Sequence, residues 1–498
     1  MGSVREQLMR GAAGYLAAQV EADGRMRVRC PSRVLESVLT ERLLARHAPA
    51  DPALGRVRGY LRAARHGAGL GALDRVLLGL PAGEDVLAGL DHYTAARKRV
   101  LVNTVLHLAG VHAELRVGAE EIAVPVGALQ NWKRAEWLAC RVIRAHARAE
   151  PVDAGDLAAL AALVQGPVIY EHLHLAHLIV LHALSPHPAH GRAVRHGLEL
   201  TAATQLPDGG FTVAVDFDLW VPSIAACALA EAEADPALLA RIAAWAAPHQ
   251  HADGGWPYRP DVEQTDVDTT YTVLAFLQRH DRARHAERIA AGHAYLRRIQ
   301  NPDGGWSTYP GGSSEPAMTG GALAVLADRP VLADRPGLDD GQTDAVLRGA
   351  RLLAAAQRAD GAFERGWSLA ENNALFRAVH GLAAVRDHAL PPAADQHLIE
   401  RALTAATAYL TRGQNPDGGW GHRHGSPSDA TSTGCALAAL GRLKQTGPVP
   451  AALAFLADTQ LPDGSLPAVP DTTAPRGLPI DLPYMPTAYV LRGLAHLR

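Results

Sequence analysis

Two aspartates, Asp266 and Asp268, stand two residues apart in TDVDTTYTVLAFL (Thr265–Leu277), followed at once by Thr269 and Thr270. Carboxyls this close resist ionising together, and burial favours the neutral form, so such a pair can keep a proton near neutral pH and act as a general acid. The plainer reading of the same letters is a helix start, with the acids as caps and the threonines as capping and hydrogen-bonding residues. Basic pairs at Lys98 and Arg99 (ARKRV) and at Lys133 and Arg134 (NWKRAEW) offer charge to a phosphate, and Glu120 with Glu121 offers carboxylates to a Mg²⁺. Two polar clusters, Glu371–Asn372–Asn373 in LAENNALFRAV and Asp429 in SDATSTG, fit either proton holding or helix capping.

The elements that must position these groups follow from a repeat. QLPDGGF (Gln205), QHADGGW (Gln250), QNPDGGW (Gln300), QRADGAF (Gln357), QNPDGGW (Gln414) and QLPDGSL (Gln460) recur at offsets of 45, 50, 57, 57 and 46 residues, with a poorer echo, QVEADGRM, at Gln19. Each copy ends an Ala/Leu-rich helical stretch in turn chemistry, Asp capping and Gly supplying positive φ, before a second apolar helix begins. Helix pairs of this kind bury their apolar faces only against neighbours, which predicts an all-α, closed or curved α/α array. The repeat glutamines and Trp256, Trp306 and Trp420 are expected to tie helix ends together. Trp220, Tyr271, Trp367, Phe376 and Tyr484 stand at the starts of second helices and are the aromatic candidates for a cavity, where ring faces would stabilise a cation. Residues 51–195 lack the repeat but keep helical patterning, which predicts a helical domain inserted into a repeat domain of residues 1–50 and 196–498.

Composition narrows the function. The chain of 498 residues carries 48 Lys+Arg against 51 Asp+Glu, a formal charge of −3, so no basic surplus exists for nucleic acid. Its four cysteines are scattered, without metal spacing or a disulfide framework. The N-terminal stretch lacks a secretion h-region, and the most apolar run, Leu157 to Leu184, is broken by Gln165, Pro167 and Glu171. A soluble cytoplasmic protein is expected.

The glutamine–tryptophan repeats resemble those of the terpene cyclase and protein prenyltransferase superfamily, and TDVDTT resembles the D-x-D-D signature of class II terpene cyclases. The resemblance covers the whole chain: a repeat-bearing β domain as an α/α barrel, with a helical γ domain inserted near its N-terminus. VGAEEIAVP (Val117–Pro125) is similar to a G-F-E-x-x-F-P segment of γ domains in diphosphate-retaining cyclases. Thr269 stands where the signature has its last Asp, the form associated with bacterial cyclases making drimane-type sesquiterpenes. The resemblance implies protonation of an alkene by Asp268, with Asp266 supporting it, and conversion of farnesyl diphosphate to drimenyl diphosphate with the diphosphate retained, Mg²⁺ accompanying it. Lys98, Arg99, Lys133 and Arg134 would then bind the diphosphate. A copalyl-type cyclase acting on geranylgeranyl diphosphate and a protein prenyltransferase subunit remain open; the latter needs a Zn²⁺ site of Asp, Cys and His with no recognisable counterpart here. A peptide-binding repeat scaffold is a third class, disfavoured by the acid pair. The letters D-x-D-x-T also resemble a phosphatase nucleophile motif, but RPDVEQT before them is polar, not a buried strand. DDGQTD (Asp339–Asp344) misses the class I D-D-x-x-D spacing and is expected to be an ordinary helix start.

Overall fold

The computed structural model describes residues 2–67, 70–83, 85–87, 95–123, 129, 131–328, 340–388, 391–473, 479–480 and 482–497. Val124 and Pro125 of the VGAEEIAVP segment and Asp339 of DDGQTD lie outside them. The described residues are helical apart from loops, isolated bridges and one pair of two-residue strands, Thr472–Thr473 and Pro479–Ile480.

Two compact units emerge: Met1–Val28 with Phe217–Thr472 and Asp481–Arg498, and Arg29–Asp216 with Thr473–Ile480. The insertion is therefore wider than the 51–195 expected from sequence. Its flanks carry the same helix-and-turn patterning as the repeat unit, so composition does not mark the crossing.

In the first unit, six inner helices form a ring: Trp220–Glu231, Val267–Asp281, Pro316–Leu326, Glu371–His388, Ala430–Arg442 and Met485–His496. Each packs on the next, and the last packs on the first. Outside them lie Pro236–Ala246, Ala286–Arg298, Asp340–Ala355, Ala393–Arg412, Val449–Thr459 and Gly2–Ala18. The repeat glutamines stitch the layers. Gln300 Nε2 donates to Gly304 O of its own turn at 2.7 Å and to Ala345 O of the next outer helix at 2.8 Å, and Gln250, Gln357 and Gln414 do the same. The indoles of Trp256, Trp306 and Trp420 are buried and donate to the last turn of the preceding outer helix (Ala246, Leu296 and Leu410 O). The expected structural role of these residues holds.

The weak echo at Gln19 supplies the sixth turn of this ring. Gly24 (φ 91°) packs on Arg241 of the Pro236 helix just as Gly254 (φ 92°) packs on Ala291, and a Cβ at either would strike a carbonyl. The Gln205 turn belongs instead to the second unit, where Gln205 Nε2 donates to Gly209 O and Ala53 O. Ring closure is direct: Gln460 Nε2 donates to Leu8 O at 3.1 Å and Arg5 Nε to Leu494 O at 2.9 Å. Two inner crossings are pinched by glycine; a Cβ on Gly493 would sit 2.6 Å from Gly434 O.

The second unit packs helices Val34–His47, Pro52–Ala64, Ala95–Leu108, Asn131–Ala147, Ala154–Leu163, His174–Leu184 and Gly191–Ala203 around Leu35, Leu39, Val105, Trp137, Leu178 and Leu181. His177 is buried in it and His182 half-buried, and desolvation lowers both to about 4, so they are neutral histidines of this core.

Candidate active site

The turn chemistry delivers the acid pair to the ring. After Trp256 the chain bridges back, Trp256 to Asp266, and the Thr270 hydroxyl accepts from Trp256 N at 2.9 Å. The same threonine bond recurs at Thr319 to Trp306, Thr433 to Trp420 and Thr487 to Leu466, which aligns the inner helices residue by residue. Two residues before each threonine stand Asp268, Ala317, Thr431 and Met485. Four before stand Asp266, Glu315, Asp429 and Pro483. Acids recur at the outer slot, where Asp266 and Asp429 cap their helices and Glu315 accepts from Thr308; of these four slots at Asp268's depth, only one holds an acid.

Asp266 is the N-cap of Val267–Asp281. It accepts from Thr269 N at 2.7 Å and from the Thr269 hydroxyl at 2.9 Å, so Thr269 is the capped residue and Asp266 the cap. Burial pushes the Asp266 carboxyl up to about 8, against the Thr269 bonds and with the nearby Asp268 adding to the rise. Asp268, 5% exposed, accepts at Oδ1 from Arg377 Nη1 at 2.8 Å. Arg377 comes from Glu371–His388, is itself 5% exposed, donates through Nη2 to the Tyr489 hydroxyl at 3.1 Å and lies 5.4 Å from the Tyr271 ring centre. Its guanidinium thus joins three alternate inner helices. Deeper in the ring, Arg492 grips Glu231 with two bonds, 2.9 and 2.7 Å, and packs 5.0 Å from the Phe376 ring. Burial opposes the Glu231 charge, but Arg492 and His496 outweigh it and hold its carboxyl below the usual range.

The structure brings several predicted residues together and separates others. Tyr271 and Phe376 are buried inside the ring, Phe376 edge-on to Tyr489 at 6.3 Å. Trp220 packs edge-on to Phe217, which meets Tyr258 in the same way. Trp367 donates to Thr308 Oγ1 at 2.7 Å and packs against Tyr309 at the helix-start level. Asn372 and Asn373 bond Ser432 O and Cys435 Sγ, binding two inner helices to each other. Asp429 caps Ala430–Arg442 through Ser432, as Asp266 caps its own helix, and burial raises its carboxyl. Tyr484 is half-buried, its hydroxyl donating to Gln19 Oε1 and its side chain meeting Tyr15 where the helix ring closes, whereas Tyr489, five residues on, is buried beside Arg377. Arg377 and Tyr489 were not singled out from sequence as partners of the acid.

In the second unit Lys98 is buried, Arg99 and Arg134 are exposed, and Lys133 lies 5.8 Å from the Trp132 ring. Lys98 and Lys133 share the surroundings of Glu136, whose carboxyl burial pushes up to about 7 against the pull of Arg97, Lys133 and Lys98. Glu120 is exposed, and Glu121 spends one oxygen on Gly118 N at 2.6 Å. Among the described residues no group of three or more His, Cys, Asp or Glu is placed to hold a metal. One free and one half-used carboxylate suit only a Mg²⁺ that keeps its waters and leans on substrate phosphates. Asp344 pairs with Arg348 one turn on at 2.9 Å, so that stretch is the ordinary helix start expected. No helix among the described residues is long and apolar enough to cross a membrane.

The prenyltransferase alpha-alpha toroid domain family matches residues 175–335 and 342–467. A drimenyl diphosphate synthase of Streptomyces showdoensis is 36% identical over 97% of this chain and 93% of its own. One of Streptantibioticus cattleyicolor is 37% identical over the same shares. Among solved structures, ent-copalyl diphosphate synthase from Streptomyces platensis matches over 99% of both chains with a TM-score of 0.59 at 18% identity, a likeness of fold.

Proposed function

The chain belongs to the class II terpene cyclases of the α/α toroid superfamily, in the family of the drimenyl diphosphate synthases, and from that premise we propose that it cyclises farnesyl diphosphate to drimenyl diphosphate with the diphosphate intact. The observation that carries this reading is the acid pair: two buried carboxyls at the mouth of one inner helix, in a closed ring lined by Tyr271, Phe376 and Tyr489. An isolated alkene is a very weak base, so its protonation needs a carboxyl held protonated in a dry place.

Asp268 gives its proton to the terminal double bond; the π pair forms the new C–H bond and the O–H pair stays on the carboxylate. Asp266, carrying its proton near neutral pH, keeps the pair from a double negative charge, and the Thr269 hydroxyl can bond either protonation state. Two ring closures follow inside aromatic walls, which stabilise positive charge without attacking it. Loss of a proton from carbon closes the balance, so the reaction is an isomerisation. Lys98, Arg99, Lys133 and Arg134 serve the diphosphate in this proposal. Mg²⁺, when bound with it through Glu120 and the free oxygen of Glu121, would neutralise its charge.

Incubation with farnesyl diphosphate, dephosphorylation and mass spectrometry should yield a bicyclic C15 alcohol, and Asp268→Asn should lower its formation by about 10⁴-fold. Equal turnover of both proteins would overturn the assignment. With geranylgeranyl diphosphate competing in the same tube, a dominant C20 product would move the protein to the copalyl-type reading.

A further inference from the structure

We infer that Arg377 is a positioning residue that makes Asp268 a strong enough acid for an alkene, by fixing one carboxyl oxygen and stabilising the carboxylate left behind. This rests on the reading of Asp268 as proton donor.

The ring interior holds two buried arginines used in different ways. Arg492 closes both its donors on both oxygens of Glu231, the geometry of a structural ion pair. Arg377 gives Asp268 a single bond, to Oδ1, and spends its other terminal nitrogen on Tyr489. The bond from Arg377 occupies Oδ1 of Asp268, so the proton is assigned to Oδ2. When the O–H bond breaks, its electron pair stays on a carboxylate already held at Oδ1 by a guanidinium that needs no reorganisation. The groups facing this pair are Asp266 on its own helix, Tyr271, Tyr489, Arg492 and Cys435. Among the positive charges here, Arg377 alone bonds the carboxyl. Tyr489 and the Tyr271 face hold the guanidinium in place, and Gly321 makes room for that face, since a Cβ there would lie 2.5 Å from Tyr271 Cε1.

An acid made stronger by its partner transfers its proton faster but keeps it to a lower pH. Removing the partner therefore has a signature that loss of packing does not share. Arg377→Met should lower kcat about a hundredfold with KM for farnesyl diphosphate within about threefold, and the alkaline limb of the pH–rate profile should move to higher pH. Arg377→Lys should restore part of kcat and move the limb back. Tyr489→Phe, which keeps the guanidinium but removes one anchor, should lower kcat a few-fold and move the limb the same way as Arg377→Met. If Arg377→Met does not fold, Tyr489→Phe decides: an unmoved limb with wild-type kcat overturns the inference. So does a folded Arg377→Met protein with wild-type kcat, or one equally impaired with Lys and an unmoved limb. Failure of the wild-type protein itself to form a bicyclic product would instead overturn the function on which the inference rests.

Discussion

Asp266→Asn should make the protein more stable and a worse catalyst, and the size of the gain is set by pH. The Asp266 carboxyl stands at about 8 in the folded protein against an ordinary 3.8. Below 3.8 folded and unfolded chains both carry the proton, and its stabilising effect is fully present. Between 3.8 and 8 only the folded chain holds it, so each unit of rising pH costs about 1.4 kcal/mol of stability. By pH 8 the loss reaches about 5 kcal/mol, and beyond that it levels off at about 6 kcal/mol. An asparagine reproduces the cap: its carbonyl accepts from Thr269 N, and its amide donates to the Thr269 hydroxyl, in place of the 2.7 and 2.9 Å bonds of the acid. Asn and Asp cap about equally well, so the exchange costs only a few tenths of a kcal/mol. Thermal unfolding followed by circular dichroism from pH 4 to pH 9 is the assay. The variant and wild type should melt together near pH 4, and the variant should melt higher by on the order of 5–10 °C at pH 8.5. Turnover of farnesyl diphosphate should fall about tenfold or more. A variant that melts lower than wild type at pH 8.5, or whose advantage does not change with pH, would refute the buried protonated acid.

Gly321→Ala should drive the new methyl into the Tyr271 ring, costing about 1–3 kcal/mol in a denaturant titration. Gln300→Ala should destabilise the ring by about 1–3 kcal/mol, because Gly304 O and Ala345 O lose their shared donor; an unchanged midpoint would show the stitch to be redundant. Chelation with EDTA should slow turnover and added Mg²⁺ should restore it, with the far-ultraviolet spectrum constant, since no described cluster couples a metal to folding.

The ring was legible because its determinants are local. A glutamine, a capping aspartate and a glycine within seven residues announce each turn, and the turn fixes where the next helix starts. Asp266 and Asp268 were legible for the same reason. Arg377 was not: in LFRAVHG it has the spacing of any helical arginine, and its meaning comes from Asp268, 109 residues away. Tyr484 and Tyr489 show the same limit, since five residues on one helix decide between ring closure and ring interior. The edges of the inserted unit were not legible because the Gln205 turn obeys the repeat while belonging to the inserted unit itself.

The seam between the Gly2–Ala18 helix and the Met485–His496 helix has a consequence for biosynthesis. A polypeptide emerging at 5–20 residues per second keeps its first helix waiting roughly half a minute or longer for its mate. Until the last turn leaves the ribosome, the part of that opening helix covered by Met485–His496 stays bare, so nascent chains should be prime customers for chaperones, and trimming a dozen residues from the tail should yield insoluble protein rather than a weakened enzyme.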